Sequence, residues 1–130
     1  MTLAFDTSVL IEIERKDEDS LGKLREFSKI HKLLPQLPFI SYYEFLKGLK
    51  IRKPKKYKEL LDFVNGFSVL DITKNTASIL ADLKIKYDNL GISLPLADLL
   101  IASQVIENNL TLVTKDKDFE KINEIKRIIL

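Results

Sequence analysis

Four acidic residues stand where apolar runs end. Asp6 follows Leu3-Ala4-Phe5, and Glu44 comes just after Phe39-Ile40-Ser41. Asp98 sits inside Leu94-Pro95-Leu96-Ala97-Asp98-Leu99-Leu100-Ile101-Ala102, and Asp116 follows Leu110-Thr111-Leu112-Val113-Thr114. A carboxylate just past the end of a buried strand lies at the edge of an α/β sheet, where such folds hold their ligands. Carboxylates gathered at one edge repel one another unless a cation joins them, and an all-oxygen donor set suits Mg²⁺ or Mn²⁺.

Each acid taken alone also has a plainer reading. Ser41-Tyr42-Tyr43-Glu44 fits a capping box, with Glu44 reaching back to the Ser41 N–H. Asp98 falls in the first turn of its helix, where the macrodipole favours an acid. Asp116 fits a turn, Asp118 an N-cap, and Asp6 a cap for the first helix. What the plainer readings leave unexplained is the coincidence of four acids at strand ends and helix starts.

The elements that must position them follow from hydrophobic periodicity. Residues 3–5 read as a first strand, followed by a helix from about Ser8. Leu21, Leu24, Phe27, Ile30 and Leu34 mark the buried face of a second helix over residues 17–34, ended by Pro35. Residues 37–41 read as a second strand, with Pro38 near its start where a missing N–H is tolerated. Ser41 then caps a helix carrying Glu44. Pro54 marks the first position of the next helix, which Gly66 closes. A third strand over 68–72 precedes a helix capped by Thr73 and ended by Gly91, and Pro95 opens the helix that carries Asp98. A fourth strand over 110–114, a short helix over 118–122 and a last strand over 127–130 complete the chain. This alternation predicts an α/β fold with a parallel sheet and helices on both faces.

The 130 residues are enough for one domain with its own core, expected to span 1–130. No cysteine is present, which excludes disulfides, thiolate nucleophiles and zinc–thiolate sites. There is neither a secretory leader pattern nor an apolar stretch long enough for a membrane span, so a cytoplasmic location without membrane association is expected. The net charge is only +2, from 21 basic against 19 acidic residues. With four acids set aside for a metal, however, the remainder is basic by six. Lys47, Lys50, Arg52, Lys53, Lys55, Lys56 and Lys58 form a run without an acid among them. Such a run is either a solvated loop between helices or a phosphate-tracking patch for a polyanion. Tyr42, Tyr43 and Tyr57 could add base stacking, although Tyr57 shares helical spacing with Leu60, Leu61 and Val64 and so reads more as core. The single histidine, His31, falls in the middle of the expected second helix, far from the acids, and reads as a surface or interface side chain.

The segments Asp6-Thr7-Ser8-Val9-Leu10, Ser41-Tyr42-Tyr43-Glu44-Phe45-Leu46-Lys47-Gly48, Ala97-Asp98-Leu99-Leu100-Ile101-Ala102 and Leu112-Val113-Thr114-Lys115-Asp116-Lys117-Asp118-Phe119 together resemble the PIN-domain ribonucleases, most of all the VapC-type toxins of toxin–antitoxin pairs. The resemblance covers nearly the whole chain. It implies a three-layer α/β/α fold with about five parallel strands in the order 3-2-1-4-5. It also implies an endoribonuclease dependent on one or two Mg²⁺ or Mn²⁺ ions, a homodimer, and a cognate antitoxin as partner. Carried over residue by residue, the catalytic and metal-site acids become Asp6, Glu44, Asp98 and Asp116. Asp118 could share or replace the role of Asp116, since both acids occur in the family's final motif. Thr7, Ser8 and Thr114 match hydroxyl positions that orient these carboxylates or a water. The basic residues Lys47, Lys50, Arg52, Lys53, Lys55 and Lys56 are the candidates for RNA contact.

Rival chemistries fit less well. A haloacid-type phosphatase needs a second acid two residues after its nucleophile, where this chain has Ser8. A receiver domain needs an acidic pair at the first strand's end, where Asp6 stands alone. Four glycines supply no phosphate loop or dinucleotide fingerprint. A housekeeping RNA-processing nuclease and a non-catalytic binding module of the same fold remain alternatives, because fold does not fix function.

Overall fold

The structure, a computed structural model, describes residues 2–15, 22 and 35–130. Apart from Gly22, the expected second helix over 17–34, and His31 with it, lies outside the described residues. The order is β1 (Leu3–Phe5), α1 (Thr7–Arg15), β2 (Gln36–Leu37), α2 (Phe39–Arg52), α3 (Tyr57–Asn65), β3 (Ser68–Val69), α4 (Lys74–Asn89), α5 (Leu96–Glu107), β4 (Thr111–Thr114), a 3-10 turn (Lys117–Lys121) and β5 (Lys126–Ile129). All strand pairs are parallel, in the order β3-β2-β1-β4-β5. The predicted α/β class and strand order are therefore those observed.

Strand alternation divides the core into two layers of apolar contact. Ala4 and Leu112 face one side, where Leu83, Tyr87, Leu99, Ala102 and Val105 of α4 and α5 pack with Phe119 and Ile122. Leu3, Phe5, Leu37 and Val113 face the other, against Val9 and Leu10 of α1, Phe45 and Leu49 of α2, and Val64 of α3. Helices thus cover both faces, and β1 and β4 are buried along their whole length, as central parallel strands must be. In the β1–β4 register Leu3 lies beside Thr111, Ala4 beside Leu112 and Phe5 beside Val113. Asp6 N–H extends this ladder to Val113 O at 3.1 Å. The ends of two strands more than 100 residues apart therefore open side by side.

Several local expectations are corrected. The second strand stops at Leu37, and the helix begins at Phe39 rather than Ser41. Pro38 is not at the start of a strand but occupies the N-cap position of α2, with φ −55 and ψ 147 and no side-chain cap. A residue without an N–H is tolerated there because helix-start donors lack intrahelical acceptors in any case. Ser41 is therefore a buried residue inside α2, and the Ser41–Glu44 capping box does not form. The Phe39 N–H instead donates to Gln104 Oε1 of α5 at 2.9 Å. The buried Gln104 also donates from Nε2 to Leu70 O and Asp71 O, at 3.1 and 3.3 Å. One polar side chain so ties the start of α2 to the end of β3.

The helix α2 continues to Arg52 and ends within the basic run, with Lys53 in the left-handed region at φ 45. Pro54 precedes α3 by three positions and accepts from Tyr57 N–H at 3.0 Å, instead of being the first helical residue. The third strand is two residues long, and the residues that follow run to Thr73 as loop. Thr73 does cap α4, in a reciprocal box with Thr76. Gly91 follows α4 at φ 71, where a Cβ would be strained. Phe45 and Leu49 of α2 and Leu83 of α4 are core. The exposed apolar side chains include Phe39, Tyr43, Ile72 and Ile85.

Candidate metal centre

Asp6 and Thr114 form the floor of the site. Asp6 is 6% exposed and Thr114 is fully buried. Thr114 Oγ1 donates to Asp6 Oδ2 at 2.7 Å, Ser8 Oγ donates to the same oxygen at 3.1 Å, and Thr7 N–H donates to Asp6 Oδ1 at 2.7 Å. Each hydroxyl has one proton and gives it to Asp6, so the 3.4 Å Ser8–Thr114 approach is contact and not a further bond. The hydroxyl oxygens then accept in turn: Ser8 Oγ from Lys115 N–H and Thr114 Oγ1 from Asp116 N–H, both at 3.0 Å. Two hydroxyls therefore fix both the Asp6 carboxylate and the backbone that carries Asp116.

Burial pushes the Asp6 carboxyl up, against the lowering effect of these donors, and the neighbouring Asp116 adds to the rise. Asp6 also occupies the start of α1, its carbonyl accepting from Val9 N–H at 3.0 Å. The plainer reading of Asp6 as a helix cap is thus true as well, and does not compete with a role in the site.

Above this floor, Asp98 in the first turn of α5 meets the loop after β4. Oxygens of Asp98, Asp116 and Asp118 lie within 4.8 Å of one another. Asp98 is pushed up to about 6, by burial first and then by Asp116, Asp6, Asp118 and Glu44. Its surroundings are therefore net negative. Asp116 is the N-cap of the 3-10 turn, accepting from Asp118 N–H at 2.9 Å. This bond aims both carboxylates of the Asp116-Lys117-Asp118 segment at Asp98, so Asp118 belongs to the tight group and is more than a neighbour of it. Asp118 also pairs with Lys121 at 3.3 Å at the exposed rim.

Glu44 stands at the edge, one helical turn and more into α2. Burial and then Asp6 push its carboxyl up, while the Thr7 hydroxyl and Lys47 oppose the rise. Thr7 Oγ1 is also 3.5 Å from Ser41 O, at the limit of a hydrogen bond, and the carboxylate is the stronger acceptor. All four expected acids, together with Asp118, so form one electrostatically coupled cluster. Its donors are all carboxylate oxygen, a set that fits a hard divalent cation, and the acids around Asp98 add to the rise that burial gives its carboxyl.

Some features of the site had no signal in a local motif. Glu12 and Glu14 of α1 reach out to hold cations on either flank: Lys115 at 3.3 Å, and Arg52 through two bonds of 3.0 and 3.1 Å. A groove of about 170 Å³ runs between this Glu14–Arg52 pair and Glu44, past Thr7 and Gly48. Gln104 did leave a trace, as a long polar side chain beside Ser103 in the otherwise apolar run Ile101-Ala102-Ser103-Gln104-Val105. A separate concavity of about 560 Å³, lined by Phe39, Tyr42, Phe67 and Ile72 among others, holds none of the cluster acids.

The PIN domain family profile matches residues 3–125. Among solved structures, the chain is similar to one from VapBC2 of Rickettsia felis bound to a DNA fragment from their promoter, with 24% identity over 100% of this chain and 99% of that one, and a TM-score of 0.82. It is similar to a chain of DNA-bound VapBC from Salmonella typhimurium, with 21% identity, coverage of 99% and 98%, and a TM-score of 0.78. A toxin–antitoxin complex from Klebsiella pneumoniae gives 21% identity, coverage of 96% and 95%, and a TM-score of 0.74. At these identities the likeness is one of fold. No curated protein matches the chain.

Proposed function

The chain belongs to the PIN domain family, and from that premise we propose that it is a Mg²⁺- or Mn²⁺-dependent endoribonuclease, the toxin of a toxin–antitoxin pair. The observation that carries this reading is the approach of Asp98, Asp116 and Asp118 to within 4.8 Å over the hydrogen-bonded Asp6. Like charges held that close cost stability unless a cation joins them.

The reaction is phosphodiester hydrolysis. A water oxygen bonds to phosphorus and gives up one proton to solvent, one backbone P–O bond opposite to it breaks, and the leaving oxygen takes up a proton from solvent. Asp98, Asp116 and Asp118 would hold the ion or ions, with Asp6 and Glu44 completing the donor set. A bound ion supplies positive charge at the phosphate and acidifies a water. Asp6 is kept in place by Thr114, Ser8 and the Thr7 N–H, so its oxygens do not have to reorganise during the reaction. Thr7 holds Glu44 from below. Lys47, Lys50, Arg52, Lys53, Lys55 and Lys56 lead RNA to the acids along α2 and its end. Arg52 does so only by exchanging Glu14, whose side chain is 13% exposed and holds it through two bonds, for a phosphate.

The toxin reading is supported by the similar structures, which are VapBC and toxin–antitoxin complexes. It brings with it a cognate antitoxin that covers the acids. A homodimer is supported by the exposed Phe39, Tyr43, Ile72 and Ile85. Among the described residues no helix is long and apolar enough to cross a membrane, and a cytoplasmic location is part of the proposal. The test is incubation of purified protein with RNA and either Mg²⁺, Mn²⁺ or EDTA. Cleavage that persists in excess EDTA would exclude a metal-dependent reaction.

A further inference from the structure

Four lysines elsewhere on the described surface find acids, Lys84 with Asp88, Lys86 with Glu124, Lys115 with Glu12 and Lys121 with Asp118, while Lys74, Lys117 and Lys126 stand singly without one. Lys50, Lys53, Lys55, Lys56 and Lys58 make no ion pair among the described residues, although they crowd the end of α2 and the start of α3. A crowded group of like charges with no ion-pair partner among the described residues favours a polyanion from outside.

The geometry at this point is not that of a simple solvated loop. Lys53 takes the left-handed conformation, and Pro54 follows it at once, so the chain leaves α2 sharply before turning into α3. The bend leaves an open concavity of about 530 Å³ lined by Lys50, Lys53, Pro54 and Tyr57, within the size range of small-ligand sites. Tyr57 is partly buried and packs against the core beneath α1, α2 and α3, so its ring is held in position while still lining the concavity. Its hydroxyl has no hydrogen-bond partner among the described residues. The expectation that Tyr57 belongs to the core is therefore half of its situation. A fixed aromatic ring lining one concavity with two lysines that make no ion pair among the described residues is the combination that takes an unpaired base together with its flanking phosphates. A duplex offers the phosphates but keeps its base faces stacked. Lys50 lies six residues beyond Glu44 on the same helix, about 9 Å along its axis, so this place is separate from the acids.

We propose that this concavity is a nucleobase subsite for single-stranded RNA, with Tyr57 as the stacking surface and Lys50 and Lys53 on the adjoining phosphates. The choice of RNA rests on the nuclease reading above; the cavity and its charges do not depend on the acids.

The test uses the whole protein in EDTA, so that binding is read without cleavage, and an oligoribonucleotide carrying 5-iodouridine. Irradiation should cross-link the oligonucleotide to Tyr57, located by mass spectrometry. Tyr57→Phe should keep the cross-link. Tyr57→Leu should lose it, with affinity about tenfold weaker. Lys50→Glu with Lys53→Glu, both exposed and with folding checked by circular dichroism, should flatten the salt dependence by roughly 0.7 in log–log slope for each phosphate left without its lysine. A cross-link elsewhere, or an unchanged slope and affinity in the lysine pair, would overturn the subsite. Equal affinity for a duplex of the same length would also overturn it. Failure of the nuclease reading would look different, as wild-type protein that binds RNA but does not cleave it when metal is restored.

Discussion

Thr114 Oγ1 donates to Asp6 Oδ2 at 2.7 Å, joining the ends of two neighbouring parallel strands whose residues are 108 positions apart in sequence. This bond is the point where topology becomes chemistry. Because β1 and β4 are adjacent, the residue after one strand and the last residue of the other share an edge, and an acid at one is met by a hydroxyl at the other.

Thr114→Val should therefore be costly. It keeps the shape but leaves the buried Asp6 carboxylate with one donor fewer and Asp116 N–H without its acceptor. A loss of about 1–3 kcal/mol is expected, read by urea denaturation, with Thr114→Ser retaining most of the stability. Equal stability of the valine and threonine proteins would show that the network contributes nothing to the fold.

Asp98 sets a pH dependence. Its carboxyl is raised from 3.8 to about 6, so between those values the folded metal-free protein holds a proton that the unfolded chain has released. Stability of the metal-free protein should then fall as pH rises through that window, with the penalty complete above about 6. Asp98→Asn should flatten this fall and raise the melting temperature of the metal-free protein at neutral pH. Added Mg²⁺ should stabilise the wild type more than the variant. Thermal melts across the window, with and without metal, check both directions; an Asp98→Asn protein with the same pH profile as wild type would contradict the assignment.

Gln104 is expected to behave as a core residue in spite of its polarity. Gln104→Leu leaves the Phe39 N–H and the Leu70 and Asp71 carbonyls unmatched, at a cost of about 2–3 kcal/mol. Gln104→Glu can still accept from Phe39 but turns a donor into an acceptor facing two carbonyls, so it should be no better. Chemical denaturation of the two variants decides this, and wild-type stability in either would show that the bridge is dispensable.

The fold was legible because buried parallel strands and amphipathic helices alternate with little ambiguity, and the acids were visible because they interrupt apolar runs at the ends of those strands. What escaped was set by tertiary contact. Pro38 looked like the start of a strand because Phe39 and Ile40 continue an apolar run, but Gln104 of α5 receives the Phe39 N–H and lets the helix begin there. Ser41 and Glu44 had the spacing of a capping box, yet the cap position lies three residues earlier. Asp118 was flagged by the final motif as an acid that could share the role of Asp116, and the Asp116 cap on its N–H accompanies its place beside Asp98. Glu14 and Arg52 are 38 positions apart, and no local pattern links them.

The role proposed for the acid cluster, holding the metal with which RNA is cleaved, stands or falls on one comparison. It is the RNA cleavage rate of purified Asp98→Asn beside wild type, in Mg²⁺ or Mn²⁺, with folding of both confirmed by circular dichroism. Wild type should cleave with metal and not in EDTA, and the variant should fall to background while folded and at least as stable. A folded Asp98→Asn protein that cleaves RNA at the wild-type rate would refute that role.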